Sequence, residues 1–200
     1  INGSNFIDGI NTLTIGYYLS LLFALRTIEF NSSYLYILLI DNHFIIILFY
    51  IFILNFFNKI FLGDSGAYLI SLLFAYLLVD IHINNLFISP YYIVLLLWYP
   101  GFENLFSIIR KYKFKKSPIK PDINHFHQLL FFYLSQNSFF SKKYISSITG
   151  ITINTYNFLL FMLASQNLQS SKFQITLILV SVFIYIFIYL KLLNFKKNYK

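Results

Sequence analysis

Phe61-Leu62-Gly63-Asp64-Ser65-Gly66-Ala67-Tyr68-Leu69-Ile70-Ser71-Leu72-Leu73-Phe74-Ala75-Tyr76-Leu77-Leu78-Val79 passes within a few residues from a glycine-flanked carboxylate to an unbroken apolar run. The run has no alternation of polar and apolar positions, which argues for a helix over a strand of a membrane barrel. A spanning helix needs roughly 20 apolar residues at 1.5 Å rise each, and residues 67–83 meet that need. The rest of the chain agrees: 58% of its 200 residues are hydrophobic and 11% charged, against about 25% charged in soluble domains. The composition therefore specifies an integral membrane protein, and the fold expected is an all-α, polytopic transmembrane helical bundle.

Further apolar runs near 12–30, 43–58, 86–109, 145–165 and 173–193 bring the expected spans to six, within a single membrane-embedded domain over 1–200. Positive charge orients them. Arg110, Lys111, Lys113, Lys115, Lys116 and Lys120 fill one loop, Lys142 and Lys143 follow, and Lys196, Lys197 and Lys200 end the chain. These regions are expected on the cytoplasmic side, in contact with a lipid bilayer whose anionic headgroups the lysines also suit. The absence of cysteine excludes disulfides, thiolate metal sites and thiol catalysis. The chain starts at Ile1 inside a polar motif, so it reads as the C-terminal portion of a longer protein.

Three polar islands interrupt the apolar background: Asn2 to Gly9, Phe61 to Gly66, and Pro121 to His127. Counting spans in pairs from the basic loop puts all three on the same, cytoplasmic face, where they can build one site. Polar groups at a membrane usually carry chemistry or ions. Asn5 and Asp8 stand one helical turn apart. Asp64 lies where a helix dipole favours a carboxylate, between glycines that let the backbone approach a ligand. His125 and His127 follow a proline-ordered approach and can hold phosphate oxygens, carry protons or bind metal. Taken singly, each island reads more readily as a helix cap or an inert interfacial histidine.

Together the islands resemble the polyprenyl-phosphate N-acetylhexosamine-1-phosphate transferases, the superfamily of glycosyltransferase family 4. The family's Asn-x-x-Asn-x-x-Asp-Gly motif is matched by Asn2, Asn5, Asp8 and Gly9. Its Phe-Met/Leu-Gly-Asp motif is matched by Phe61 to Asp64, with Asn55 and Lys59 resembling the residues that precede it. The Pro-Asp-x-x-His-x-His-His loop of the polysaccharide-initiating branch is matched at Pro121, Asp122, His125 and His127. What the resemblance implies is Mg2+-dependent transfer (Mn2+ as a substitute) of a sugar 1-phosphate from a UDP-sugar to undecaprenyl phosphate, with release of UMP. The setting it implies is cell-envelope glycan synthesis at the cytoplasmic face of a bacterial inner membrane.

The resemblance implies catalytic roles for Asp8, Asp64, His125 and His127, and magnesium ligation by Asn5 and Asp64. Asp8 can be read as a base or as a metal partner. Phe61 resembles the ring that stacks on uracil and Asn11 the residue that pairs with it, while Lys59, Arg110, His125 and His127 would bind substrate phosphates. A homodimer is compatible with it, and nothing suggests nucleic acid as a partner. Four positions depart from the family pattern: Asn11 for Asp, Thr12 for Gly, Glu103 for Asp and Gln128 for the last histidine. The family's paired-aspartate motif, which precedes these islands, is not in the chain, so these 200 residues alone are expected to be inactive. The alternatives are a non-catalytic membrane scaffold and, further off, a transporter segment.

Overall fold

The computed structural model describes residues 2–28, 41–113, 124–136 and 141–199. Among them the helices in chain order are α1 (Asn2–Ile7), α2 (Leu13–Arg26), α3 (Asn42–Phe56), α4 (Gly63–Asn84), α5 (Pro90–Leu96), α6 (Trp98–Lys113), α7 (Phe126–Ser135), α8 (Ile145–Ala164) and α9 (Ser171–Asn198). Short 3-10 turns, Lys142–Tyr144 and Ser165–Asn167, flank α8. No strand occurs among the described residues, and the all-α bundle expected from the apolar runs is the fold.

The count of six full spans needs correction. Among the described residues, three segments are long and apolar enough to cross a membrane, Gly63–Asn84, Lys142–Asn167 and Ser171–Asn198, and a fourth counts only if a bent pair is taken as one span. The run at 12–30 gives a helix of 14 residues, about 21 Å long, too short for a 30 Å hydrocarbon core. It is a core helix, buried along almost its whole length. The run at 43–58 gives 15 residues and is likewise short. Residues 29–40, including Glu29 and the Tyr34–Ile40 stretch, lie outside the described residues.

The expected span at 86–109 is broken. α5 and α6 meet at an angle of 72° about Leu97. Pro100 is the cause: it has no N–H to offer the Leu96 carbonyl four residues back, and its ring crowds that carbonyl. The freed Leu96 oxygen is taken by the Tyr17 hydroxyl of α2 at 2.7 Å. The bond gives the Leu96 carbonyl a partner and ties the bend to the core helix.

α2 packs most heavily against α8, and the approach depends on a glycine. A Cβ on Gly150 would lie 2.3 Å from the Asn11 carbonyl oxygen and 2.8 Å from the Leu13 nitrogen, too close for any other residue without movement of backbone. α9 closes the bundle against α5, α7 and α8. Its tyrosines Tyr185 and Tyr189 are buried and stack on each other; Tyr185 also stacks on Phe126, and Tyr189 meets Phe106 edge to face. α6 is amphipathic in an inverted sense: Glu103, Ser107 and Arg110 are buried, while Leu105, Ile108 and Ile109 face outward. In a bilayer the outward face meets hydrocarbon, so the polar face must find its partners inside the protein.

Candidate functional site

Three contacts bring the polar islands together. Asn5 on α1 donates from Nδ2 to the Tyr68 hydroxyl of α4 at 3.1 Å. Phe6 lies against the His125 ring with centroids 5.7 Å apart. Gly9 sits against His127, where an added Cβ would be 2.8 Å from Nε2. α1 is set at this junction by a hydrogen bond between the Ser4 and Tyr18 hydroxyls and by Gly3, whose Cα faces the Pro100 carbonyl so closely that a Cβ would come within 2.5 Å of its oxygen.

Asp8 follows α1 and has its backbone N–H on the Asn5 carbonyl at 3.2 Å. Burial raises its pKa from 3.8 to about 6; the Asp64 carboxylate adds to the rise, and the nearby Thr14 hydroxyl and Gly63 N–H oppose it. Asp64 itself is exposed in the first turn of α4. The helix starts four residues earlier than the 67–83 run suggested, so Asp64 is inside the helix. The preceding Leu62 is the N-cap, and its side chain makes no capping bond. The dipole still favours the carboxylate there.

The turn from Asp8 into α2 is clamped. Thr12 has φ 65°, a left-handed conformation that strains a β-branched residue and explains why glycine would suit this position. Asn154 Nδ2 donates to the Thr12 carbonyl at 2.8 Å, the Thr12 N–H donates to Asn55 Oδ1, and the hydroxyl lies 2.8 Å from the Ser147 carbonyl oxygen. These bonds hold the strained turn.

α3 ends in a left-handed Asn58 with φ 59°. The Asn58 and Lys59 N–H groups bond back to Asn55 and Leu54 at 3.1 and 2.9 Å, the double bond pattern of a Schellman cap. Asn58 Oδ1 accepts from Asn11 Nδ2, and its own Nδ2 donates to the Lys143 carbonyl at 3.1 Å. Asn11 is therefore buried with its amide engaged, while Lys59 and Phe61 project from the following loop, Phe61 at 75% exposure.

The histidine end is tightly built. Glu103 of α6 is 0% exposed, and its Oε1 lies 2.8 Å from His125 Nδ1. The Phe126 N–H donates to the same oxygen at 3.2 Å, and the Tyr185 hydroxyl of α9 donates to Oε2 at 2.6 Å. His127 stacks on His125, with centroids 5.5 Å apart and planes 9° from parallel. Burial lowers the His127 pKa from 6.5 to about 4, with the charge of Glu103 opposing and His125 reinforcing the shift. Gln128 accepts from the His125 N–H at 3.3 Å, so the amide that stands in place of the last family histidine closes a capping box on α7.

Asn5, Asp8, Asp64, His125 and His127 thus lie around α1, with Phe61 and Lys59 on an exposed loop leading into α4. Arg110 stands apart. Its guanidinium donates to the Tyr189 hydroxyl at 3.1 Å and lies 5.5 Å from both the Phe106 and Tyr189 ring centroids, packed against α9. Pro121, Asp122 and the lysines at 115, 116 and 120 lie outside the described residues. Sequence reasoning missed Tyr68, Tyr185 and the part played by Glu103; for Glu103 the signal was present, a carboxylate inside an apolar run.

Among the described residues no three His, Asp or Glu side chains form a metal-binding group. The donor chemistry nonetheless suits a hard cation: two neighbouring carboxylates, Asp8 and Asp64, repel each other, and the Asn5 nitrogen is engaged with Tyr68, which leaves the amide oxygen for a ligand. A cation sharing these oxygens with several waters would relieve the repulsion.

The fold and these polar clusters define a membrane-embedded helical protein with carboxylates and imidazoles gathered at one site. Residues 1–82 match the family model of glycosyl transferase family 4, a stretch that holds the first two islands and stops short of the third. Over that stretch, less than half of the chain, the protein is similar to that family. No curated protein and no solved structure matches the chain.

Proposed function

We propose that this protein moves the sugar 1-phosphate of a UDP-N-acetylhexosamine, UDP-N-acetylglucosamine or a modified relative, onto undecaprenyl phosphate at the cytoplasmic face of a bacterial inner membrane. An oxygen of the lipid phosphate attacks the sugar-bearing phosphorus, the bond from that phosphorus to the bridging oxygen breaks, and UMP leaves with that oxygen. The observation that carries the reading is the meeting of Asp8 and Asp64 with His125 and His127 around α1, a junction of negative groups for a cation and imidazoles for phosphate.

In this reading Asp64, Asn5 and Asp8 would hold Mg2+, or Mn2+ in its place, which would neutralise the diphosphate when bound. The exposed Phe61 ring is free to stack on uracil, with Lys59 in the same loop for phosphate. Asn11, whose Nδ2 is bonded to Asn58, would pair with a base through its Oδ1. His127, neutral at pH 7, would act as a hydrogen-bonding group and not as a cation. Arg110 would serve the site through packing, not contact.

The test is UMP release by the full-length protein in lipid, with undecaprenyl phosphate and a panel of UDP-sugars. Asp64→Asn is expected to lose activity by about 100-fold or more, as removal of a charge aimed at the transferring group does. A chelator should abolish turnover and Mg2+ should restore it. A membrane scaffold would be indifferent to both treatments.

A further inference from the structure

We infer that Glu103 and Tyr185 are positioning residues that fix the ring of His125 as its Nδ1–H tautomer and so reserve Nε2 for the substrate's phosphate oxygens. The first half stands on geometry alone; the second rests on the proposed phosphotransfer.

Glu103 is fully buried, and its two oxygens are filled from three directions: His125 Nδ1 at 2.8 Å, the Phe126 N–H at 3.2 Å and the Tyr185 hydroxyl at 2.6 Å. An ionised carboxylate only accepts hydrogen bonds, so facing it the His125 Nδ1 must carry a proton. In the neutral ring that leaves Nε2 as the acceptor nitrogen, and in the protonated ring as the second donor. The main-chain bond to Phe126 adds a constraint that a lone ion pair lacks, because it fixes the carboxylate relative to the start of α7.

Tyr185 makes the arrangement a property of the last helix. Its ring stacks on Phe126 with centroids 4.7 Å apart, and its hydroxyl holds the outer oxygen of Glu103. The His125 ring itself packs against Phe6, with centroids 5.7 Å apart, and stacks on His127 at 5.5 Å, so the imidazole cannot turn over without displacing an aromatic ring. A ring so held needs no reorientation when a phosphate arrives, the advantage that preorganised donors and acceptors give a reaction site.

The test uses the full-length protein in lipid nanodiscs, with 15N-labelled histidine and His125 assigned by its loss in His125→Gln. The expected spectrum for His125 is that of the Nδ1–H form when the ring is neutral. In Glu103→Gln the amide can donate, and the ring should shift to or mix with the Nε2–H form; Tyr185→Phe, the milder change, should broaden the signal and leave the fold intact by circular dichroism. An Nε2–H ring in the parent protein, or an unchanged tautomer in folded Glu103→Gln and Tyr185→Phe, overturns the inference. Activity then separates the two readings. If the tautomer responds and the parent turns over UDP-sugar, Glu103→Gln should cost about 100-fold in kcat with little change in KM, and Glu103→Asp should recover part of it. If the tautomer responds while no UDP-sugar is turned over, the geometric assignment stands and the phosphotransferase reading fails.

Discussion

Asp8 and His127 carry opposite perturbations a few residues from each other in space. Asp8 titrates near 6 when folded against 3.8 ordinarily, so between about pH 4 and 6 the folded state holds more protons than the unfolded, and this group's contribution falls as pH rises. His127 titrates near 4 against 6.5, so the unfolded state holds more protons, and its contribution grows as pH rises through the same window. The two partly offset. Asp8→Asn removes the first alone: in chelator, its melting temperature should exceed the parent's by more at pH 7 than at pH 4. Equal gains at both values would show that Asp8 is not strained in the fold. Thr12 teaches a related lesson. Spacing carries no record of φ: the left-handed backbone at Thr12 favours glycine, and the hydroxyl bond to the Ser147 carbonyl is what the threonine side chain adds against that strain.

At the scale of the element, the bend between α5 and α6 follows from one missing N–H. Pro100 was visible in the sequence, yet the run at 86–109 read as one span because a proline inside a membrane helix can be accommodated by neighbours without a break. Here the neighbour is Tyr17, whose hydroxyl bonds to the Leu96 carbonyl. Tyr17→Phe should leave that buried oxygen without a donor and cost about 1–3 kcal/mol. In a Pro100→Ala background the new N–H can return to Leu96, so the same Tyr17→Phe change should cost clearly less. A double-mutant cycle by denaturant titration in mixed micelles measures the coupling, and additive effects would mean the two groups do not share this carbonyl.

Over the whole molecule, the helical class was legible because apolar runs of this length have few alternatives; the islands meet around α1 although fewer helices than expected are long enough to span. The histidine anchor was not legible. Glu103 and His125 are 22 positions apart with no periodicity in the sequence to link them, and Tyr185 is one of 17 tyrosines, a residue too common here to single out. Arg110 misled for a similar reason: the lysines after it assign it to a basic loop, whereas the inward polar face of α6 turns it toward α9. α9 thus secures the site from the far end of the chain. A chain ended after Ser170 should leave His125, 4% exposed in the intact protein, open to diethyl pyrocarbonate, read by mass spectrometry; protection in the shortened chain would show that α7 and α8 shield it unaided.

The inverted face of α6 also orders events during synthesis. Glu103 and Arg110 receive their hydroxyl partners from Tyr185 and Tyr189, which lie 82 and 79 positions later. At roughly 5–20 residues per second, α6 leaves the ribosome about 4–16 s before those tyrosines exist. Through that interval its charged side chains have hydrocarbon on one side and no α9 on the other. The second half of the broken helix must therefore wait at the membrane surface, or beside the insertion machinery, and take its final place only when the last helix of the chain arrives.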